Sequence, residues 1–163
     1  MLTSTRRRLA AVAMVLLIPA LAGCGFGYQT DQVYQPGVGV NDRSGGVDVL
    51  GAVVVSSLNG EGTFVASLVN KSDSDEDTLV SMTGTGLQVQ LKEPVKLPAN
   101  QLVNLADSGA ISVTGDTVQP GKFARLTLTF ESGQKTRMNV PVVPYSGDFN
   151  DVRLATPSST PAP

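Results

Sequence analysis

Phe123-Ala-Arg-Leu-Thr-Leu-Thr-Phe130 is the most legible stretch of this 163-residue chain. Ala124, Leu126, Leu128 and Phe130 fall on one side of an extended backbone, and Arg125, Thr127 and Thr129 on the other, a strict period of two. One face is apolar and the other wet, the pattern of a strand half-buried in a sheet. Ser132-Gly133-Gln134-Lys135 carries turn chemistry, and Arg137 to Val143 returns with Met138, Val140 and Val142 inward. The two runs predict a hairpin over 123–143. Pro141 has no N–H to give a ladder, so the returning strand is expected to lie at a sheet edge there.

Outward from this hairpin the text stays β-like. Val47 to Val55 is rich in β-branched residues, and its unbroken apolar end fits a strand buried on both faces. Asn59-Gly60-Glu61-Gly62 ends it as a turn. Thr63 to Asn70 alternates, with Phe64, Ala66 and Leu68 on one face and Val65 and Val69 on the other. Leu79–Thr83, Leu87–Leu91, Gln101–Leu105 and Ile111–Thr114 are shorter runs of the same kind. No segment after residue 46 places apolar residues at i, i+3, i+4 and i+7 over three turns. Seven or eight short strands at this spacing predict an all-β domain, a two-sheet antiparallel sandwich over 47–144.

The N-terminus has a different logic. Arg6, Arg7 and Arg8 precede an apolar run from Leu9 to Ala20, which has the length of a signal-peptide core and is short for a membrane span. Leu21-Ala22-Gly23-Cys24 follows, and it resembles a bacterial lipobox. The resemblance implies a signal peptide over 1–23 and lipid on Cys24, which becomes the mature N-terminus. An ordinary secretory signal with an unrelated cysteine beside it is the competing reading. The expected location is the extracytoplasmic face of the cell membrane, with the lipid on Cys24 as the membrane partner. Residues 24–46 are rich in glycine and lack periodicity, so they are expected to form a flexible tether. Residues 145–163 end in Thr156-Pro-Ser-Ser-Thr-Pro-Ala-Pro163 and are expected to form a disordered tail.

Composition excludes several chemistries. Of twelve basic residues, Arg6, Arg7 and Arg8 leave with the signal; the remaining nine face fourteen acidic ones, a formal charge of −5. That balance gives no reason to expect nucleic-acid binding. The chain has no histidine and a single cysteine. Ser-His-Asp and Cys-His catalysis, imidazole metal sites and disulfides are therefore all absent. No catalytic residue and no cofactor is expected, although a pair of carboxylates across a cleft is an enzyme design that needs no histidine.

Two sets of residues are candidates for metal binding. Asp73, Asp75 and Asp77 occupy the first ligand positions of a calcium-loop pattern, but Thr78 and Gly84 break it where glycine and glutamate are needed. A solvated loop tip is the simpler reading. Met82 and Met138 offer thioethers suited to Cu(I), and both stand in apolar runs where core filling is the ordinary role. Asn70-Lys71-Ser72 matches a glycosylation sequon.

Phe64–Asn70, Asp77–Val80, Lys96–Asn100, Pro120–Phe130 and Asn139–Val142 together resemble the PCuAC family of extracytoplasmic copper chaperones, in its divergent actinobacterial lipoprotein branch. The resemblance implies a cupredoxin-like or immunoglobulin-like Greek-key β-sandwich. It also implies where copper ligands would stand: a histidine at Lys92, after Val89-Gln-Leu, and a closing His-x-Met within Ala110-Ile-Ser-Val113. A lysine ammonium has no lone pair to donate and the aliphatic side chains have none at all. The expectation is a non-catalytic binding or scaffold module that presents the loops Asn70–Thr78 and Glu93–Asn100 to an unnamed envelope protein. A copper-trafficking chaperone with a degenerate or rebuilt site is the alternative.

Overall fold

The apolar alternation sets the frame of the computed structural model, which describes residues 37–58 and 60–156. The signal peptide, Cys24 and the last seven residues lie outside the described residues. Ten strands form among those described: β1 (Val40–Asp42), β2 (Val47–Leu58), β3 (Glu61–Asn70), β4 (Asp77–Gly84), β5 (Gln88–Leu91), β6 (Val95–Leu97), β7 (Leu102–Asn104), β8 (Ile111–Thr114), β9 (Phe123–Phe130) and β10 (Lys135–Pro144). They lie in the order β5-β8-β3-β2-β10-β9-β4-β6, with β1 beside β2 and β7 beside β3. Curled on itself, this sheet is an all-β, cupredoxin-like sandwich.

Its two layers meet in β10. That strand runs antiparallel to β9 from Lys135 to Pro141, then parallel to β2 from Val142 to Pro144. The all-antiparallel expectation therefore needs one correction, because the β2–β10 pair is parallel. Pro141 also lies in a central strand, where an edge was expected. The Val142 N–H donates to Lys122 O at 2.9 Å, on the β9 side. One residue earlier, Pro141 points its nitrogen to the opposite flank, where the β2 ladder has yet to begin. The missing donor thus falls at the one place in β10 that asks for none.

Between the layers lies one apolar core. Phe64, Leu68, Leu79, Leu97, Leu126, Leu128 and Phe130 are among its buried members. The face assignments for Thr63–Asn70 and for Ala124, Leu126, Leu128 and Phe130 are those the alternation predicts. In β2 the register shifts between Leu50 and Val53, and Gly51 takes φ +62°. The extra residue reverses the alternation, so Val47 and Val49 point inward before it and Ala52 and Val54 after it. Glycine is favoured at that positive φ.

The same bulge holds the chain's N-terminal approach and moves the expected domain boundary. Gly39 packs so closely on Gly51 that a Cβ would sit 2.5 Å from its carbonyl carbon. The Asn41 side chain accepts a hydrogen bond from the Gly51 N–H, and β1 pairs with β2 through Val40↔Ala52 and Asp42↔Val49. Within the stretch expected as tether, Val40–Asp42 is therefore a strand of the sheet.

The C-terminal boundary moves as well. After β10 the Tyr145 N–H donates to Ser56 O at 3.0 Å, and a single 3-10 turn follows over Gly147–Phe149. The Arg153 N–H then donates to Ala106 O at 2.9 Å and the Ala155 N–H to Thr63 Oγ1 at 2.7 Å. This strap lays Phe149, Val152 and Leu154 over Val53, Val55, Val65 and Val143 on the outer side of β2 and β3. Those valines explain why Val53 to Val55 reads as apolar on both faces: one face meets the core and the other the strap. Residues 145–156 were expected to be disordered, yet their three apolar side chains have a surface to bury against.

Ending the chain at Pro144 should therefore cost about 2–4 kcal/mol in urea unfolding, from the apolar area uncovered on both sides. An unchanged midpoint would mean that the strap contributes nothing to stability.

Candidate functional site

Met82 is paired with Leu128 across β4 and β9, and Met138 with Leu126 across β9 and β10. Both thioethers join the main core, with Met82 5% and Met138 8% exposed. Their surroundings are the leucines and phenylalanines of that core, with no imidazole or thiolate among them. They fill space, as methionine commonly does.

The two segments that the resemblance names as copper-bearing do come together. β5 and β8 pair antiparallel through Leu91↔Ile111 and Gln90↔Ser112, and the Lys92 N–H donates to Ala110 O at 3.0 Å. Ile111 and Val113 are directed into the core, Ser112 is 7% exposed, and Lys92 is exposed. A soft ion at this junction would meet an ammonium, a hydroxyl and hydrocarbon, a donor set that does not fit Cu(I). At the far end of the same pair, Gly86, Leu87, Gln88, Thr114, Gly115 and Asp116 line an open depression of about 390 Å³. A second depression of similar size is lined by Phe123, Arg125 and Asn139. Neither brings two carboxylates together.

The acidic loop and its neighbour form one rim. Asn70, only 2% exposed, donates from Nδ2 to Asp75 O at 2.8 Å and to Leu97 O at 2.9 Å. Its Oδ1 accepts from the Ser72 N–H, and the Asn100 N–H donates to Ser72 O at 2.8 Å. The segments Asn70–Thr78 and Glu93–Asn100 are thus tied by a buried amide. The second, expected as a loop, contains β6 (Val95–Leu97), which pairs with β4 and buries Leu97 completely. Asn70 is no glycan acceptor here, because both of its amide hydrogens are engaged inside the protein.

The three aspartates do not converge. Among the described residues no three acidic, histidine or cysteine side chains are grouped to hold a metal. Asp75 Oδ2 accepts from Ser74 Oγ at 3.1 Å. Asp77 turns the other way, accepting from Ser132 Oγ at 2.6 Å, from the Ser132 N–H at 3.0 Å and from the Thr78 N–H at 2.7 Å. Burial works against its charge, but these hydrogen bonds outweigh it and hold the carboxyl below its ordinary range. Asp77 is a clasp between the start of β4 and the β9–β10 turn.

Other features escaped the sequence reading. The outer side of β9 and β10 was recognised as wet, but Arg125, Lys135 and Arg137 on it were not seen as a charge cluster. The signal lay in the alternation itself, since every second residue of two paired strands shares one face.

Comparison with solved structures agrees with this architecture. The apo PCuAC domain from PmoF1 is 20% identical, superposes with a TM-score of 0.55, and covers 63% of this chain and 98% of its own. The copper-bound PCuAC domain from PmoF2 is 20% identical, with a TM-score of 0.53, over 64% and 98%. The apo PmoF2 PCuAC domain is 17% identical, with a TM-score of 0.54, over 66% and 98%. The chain has a PCuAC-like fold. No described family and no curated protein matches its sequence.

Two outcomes follow from the rim. Asn70→Ala should cost about 1–3 kcal/mol in urea unfolding by orphaning two carbonyls and the Ser72 N–H, whereas a sequon asparagine on a free loop would cost nothing. Because the Asp77 carboxyl is depressed, its stabilisation is complete above the unfolded value of about 3.9 and is lost as pH falls through the lower folded value. Asp77→Asn should therefore flatten part of the acid limb of the stability profile and leave its slope near pH 7 unchanged.

Proposed function

We propose that this chain is a lipid-anchored extracytoplasmic binding module that keeps the PCuAC-like sandwich and uses it without copper. The observation carrying the reading is the β5–β8 junction, where Lys92 and Ala110 are hydrogen-bonded neighbours and, among the described residues, the soft side chains Met82 and Met138 are buried in the core. Scaffold geometry and donor chemistry have separated. The lack of histidine from the whole sequence and the burial of both mature methionines support the same conclusion. A non-catalytic role fits the two open depressions, neither of which pairs acids as a glycosidase would. The anchor rests on Arg6–Arg8, the apolar run and Cys24. The rim of Asn70–Thr78 and Glu93–Asn100 is a pre-organised surface of the kind a protein partner reads, because its loops are held by Asn70 before any partner arrives.

Two measurements test these parts separately. A Cu(I) competition titration should show no stoichiometric tight binding. Tight binding lost in a Met82→Leu, Met138→Leu double variant would overturn the reading in favour of a rebuilt copper site. Cys24→Ala should abolish lipid labelling and release the protein from membranes, and a variant still membrane-bound at unchanged apparent mass would contradict the anchor.

A further inference from the structure

The outer faces of the two layers are finished differently. On β2 and β3 the strap closes the surface with Phe149, Val152 and Leu154. Among the described residues, the outer face of β6, β4, β9 and β10 has no such cover. Register places Lys96, Phe123, Arg125, Lys135, Arg137 and Asn139 on it, among threonines and serines. Lys96, Arg125, Lys135 and Arg137 are all exposed, and Phe123 is 60% exposed. Of the nine basic residues left after the signal, four are therefore gathered at this one face, although the chain left after the signal carries a formal charge of −5. No carboxylate occupies a strand position on it. Asp77 and Glu131, the nearest along the chain, sit at the β9–β10 turn end. The one ion pair among the described residues, Lys71–Asp48 at 2.9 Å, is elsewhere.

We propose that this face docks the domain flat on an anionic bilayer, with Lys96, Arg125, Lys135 and Arg137 on lipid phosphates and Phe123 in the headgroup zone. The proposal rests on the anchor reading given above, and four features commit it to a lipid surface. The face is open, and the depression lined by Phe123, Arg125 and Asn139 is itself open to solvent, so it matches a plane better than an inserted peptide. Among the described residues its charge has one sign and no ion-pair partner, which suits a surface of phosphates. Cys24 and Gly37 are thirteen positions apart, at most about 45 Å of extended chain, so the anchor keeps the domain within reach of the bilayer. The described chain also enters on the right flank. β1 and β10 occupy the same side of β2 in succession, Val40 opposite Ala52 and Val142 opposite Val54, close to the Pro141–Phe123 end of the face. The remaining acidic surface is repelled by anionic lipid, which leaves this as the one orientation of close approach. Docking so would hold the domain in a single attitude at the membrane.

The test uses the lipidated full-length protein in vesicles. Since Cys24 is the sole cysteine and is blocked by lipid, Asn139→Cys and Asp107→Cys each give one labelling site, the first on the basic face and the second on an exposed loop after β7. Fluorophores at these sites are read against headgroup quenchers in vesicles of phosphatidylcholine alone or with one-third phosphatidylglycerol. Docking requires quenching at 139 and not at 107, only with phosphatidylglycerol, and reversal at about 0.5 M salt, where the Debye length is a few ångströms. Arg125→Glu with Arg137→Glu should lower the quenching at 139 at least about tenfold. Equal quenching at both sites, quenching indifferent to anionic lipid, or none at all would overturn the proposal. Flotation of the vesicles reads the anchor independently. Flotation without quenching at 139 removes docking and leaves the anchor standing, while failure to float with either lipid removes both.

Discussion

The fold depends on β10 changing partners within one strand. Up to Pro141 it is the hydrogen-bonded neighbour of β9, and from Val142 it is that of β2. Elsewhere the layers are joined by packing and by side-chain ties, the Asn70 amide on Leu97 O and the Gln134 amide on the Val47 backbone. At the change of partner Val142 enters the main core and Val143 faces the opposite way, into the cluster under the strap. A proline is tolerated there because one flank of the strand is briefly without a neighbour. The strap follows at once, and its first tie, from the Tyr145 N–H to Ser56 O, continues the same ladder.

Most of the frame was legible because long strands carry their periodicity with them. β3, β9 and β10 alternate without interruption, and the sequence names their inward residues. β1 and β6 were missed because three residues hold too little pattern to detect, and β6 is further disguised by Pro94 and Pro98 on either side. β2 was found but half understood: its apolar run hides a bulge at Gly51 that exchanges its faces. The strap escaped because Phe149, Val152 and Leu154 are spaced among polar residues, so that their burial depends on a distant sheet.

The site was harder to read than the fold. A resemblance in sequence located the β5–β8 junction, and the structure brings Lys92 and Ala110 together there, but proximity without donors is not a metal centre. Asn70 looked like a modification signal and is a structural tie. Asp73, Asp75 and Asp77 looked like one cluster and diverge, Asp77 toward Ser132 and Asp75 toward Ser74. The charge of the chain misled in the same way. A mild net acidity conceals a segregated surface, because a sum over the sequence ignores which residues the strands place side by side.

We propose that this sandwich holds itself together through its core, strap and buried amide, without help from copper. A ligand that binds only the folded state at a hundred times its dissociation constant adds about 2.7 kcal/mol of stability. The most direct measurement is thus the thermal unfolding midpoint of the purified protein, taken without metal and with excess Cu(I) held reduced. The account predicts coincident transitions. A midpoint raised by several degrees with Cu(I) would contradict it.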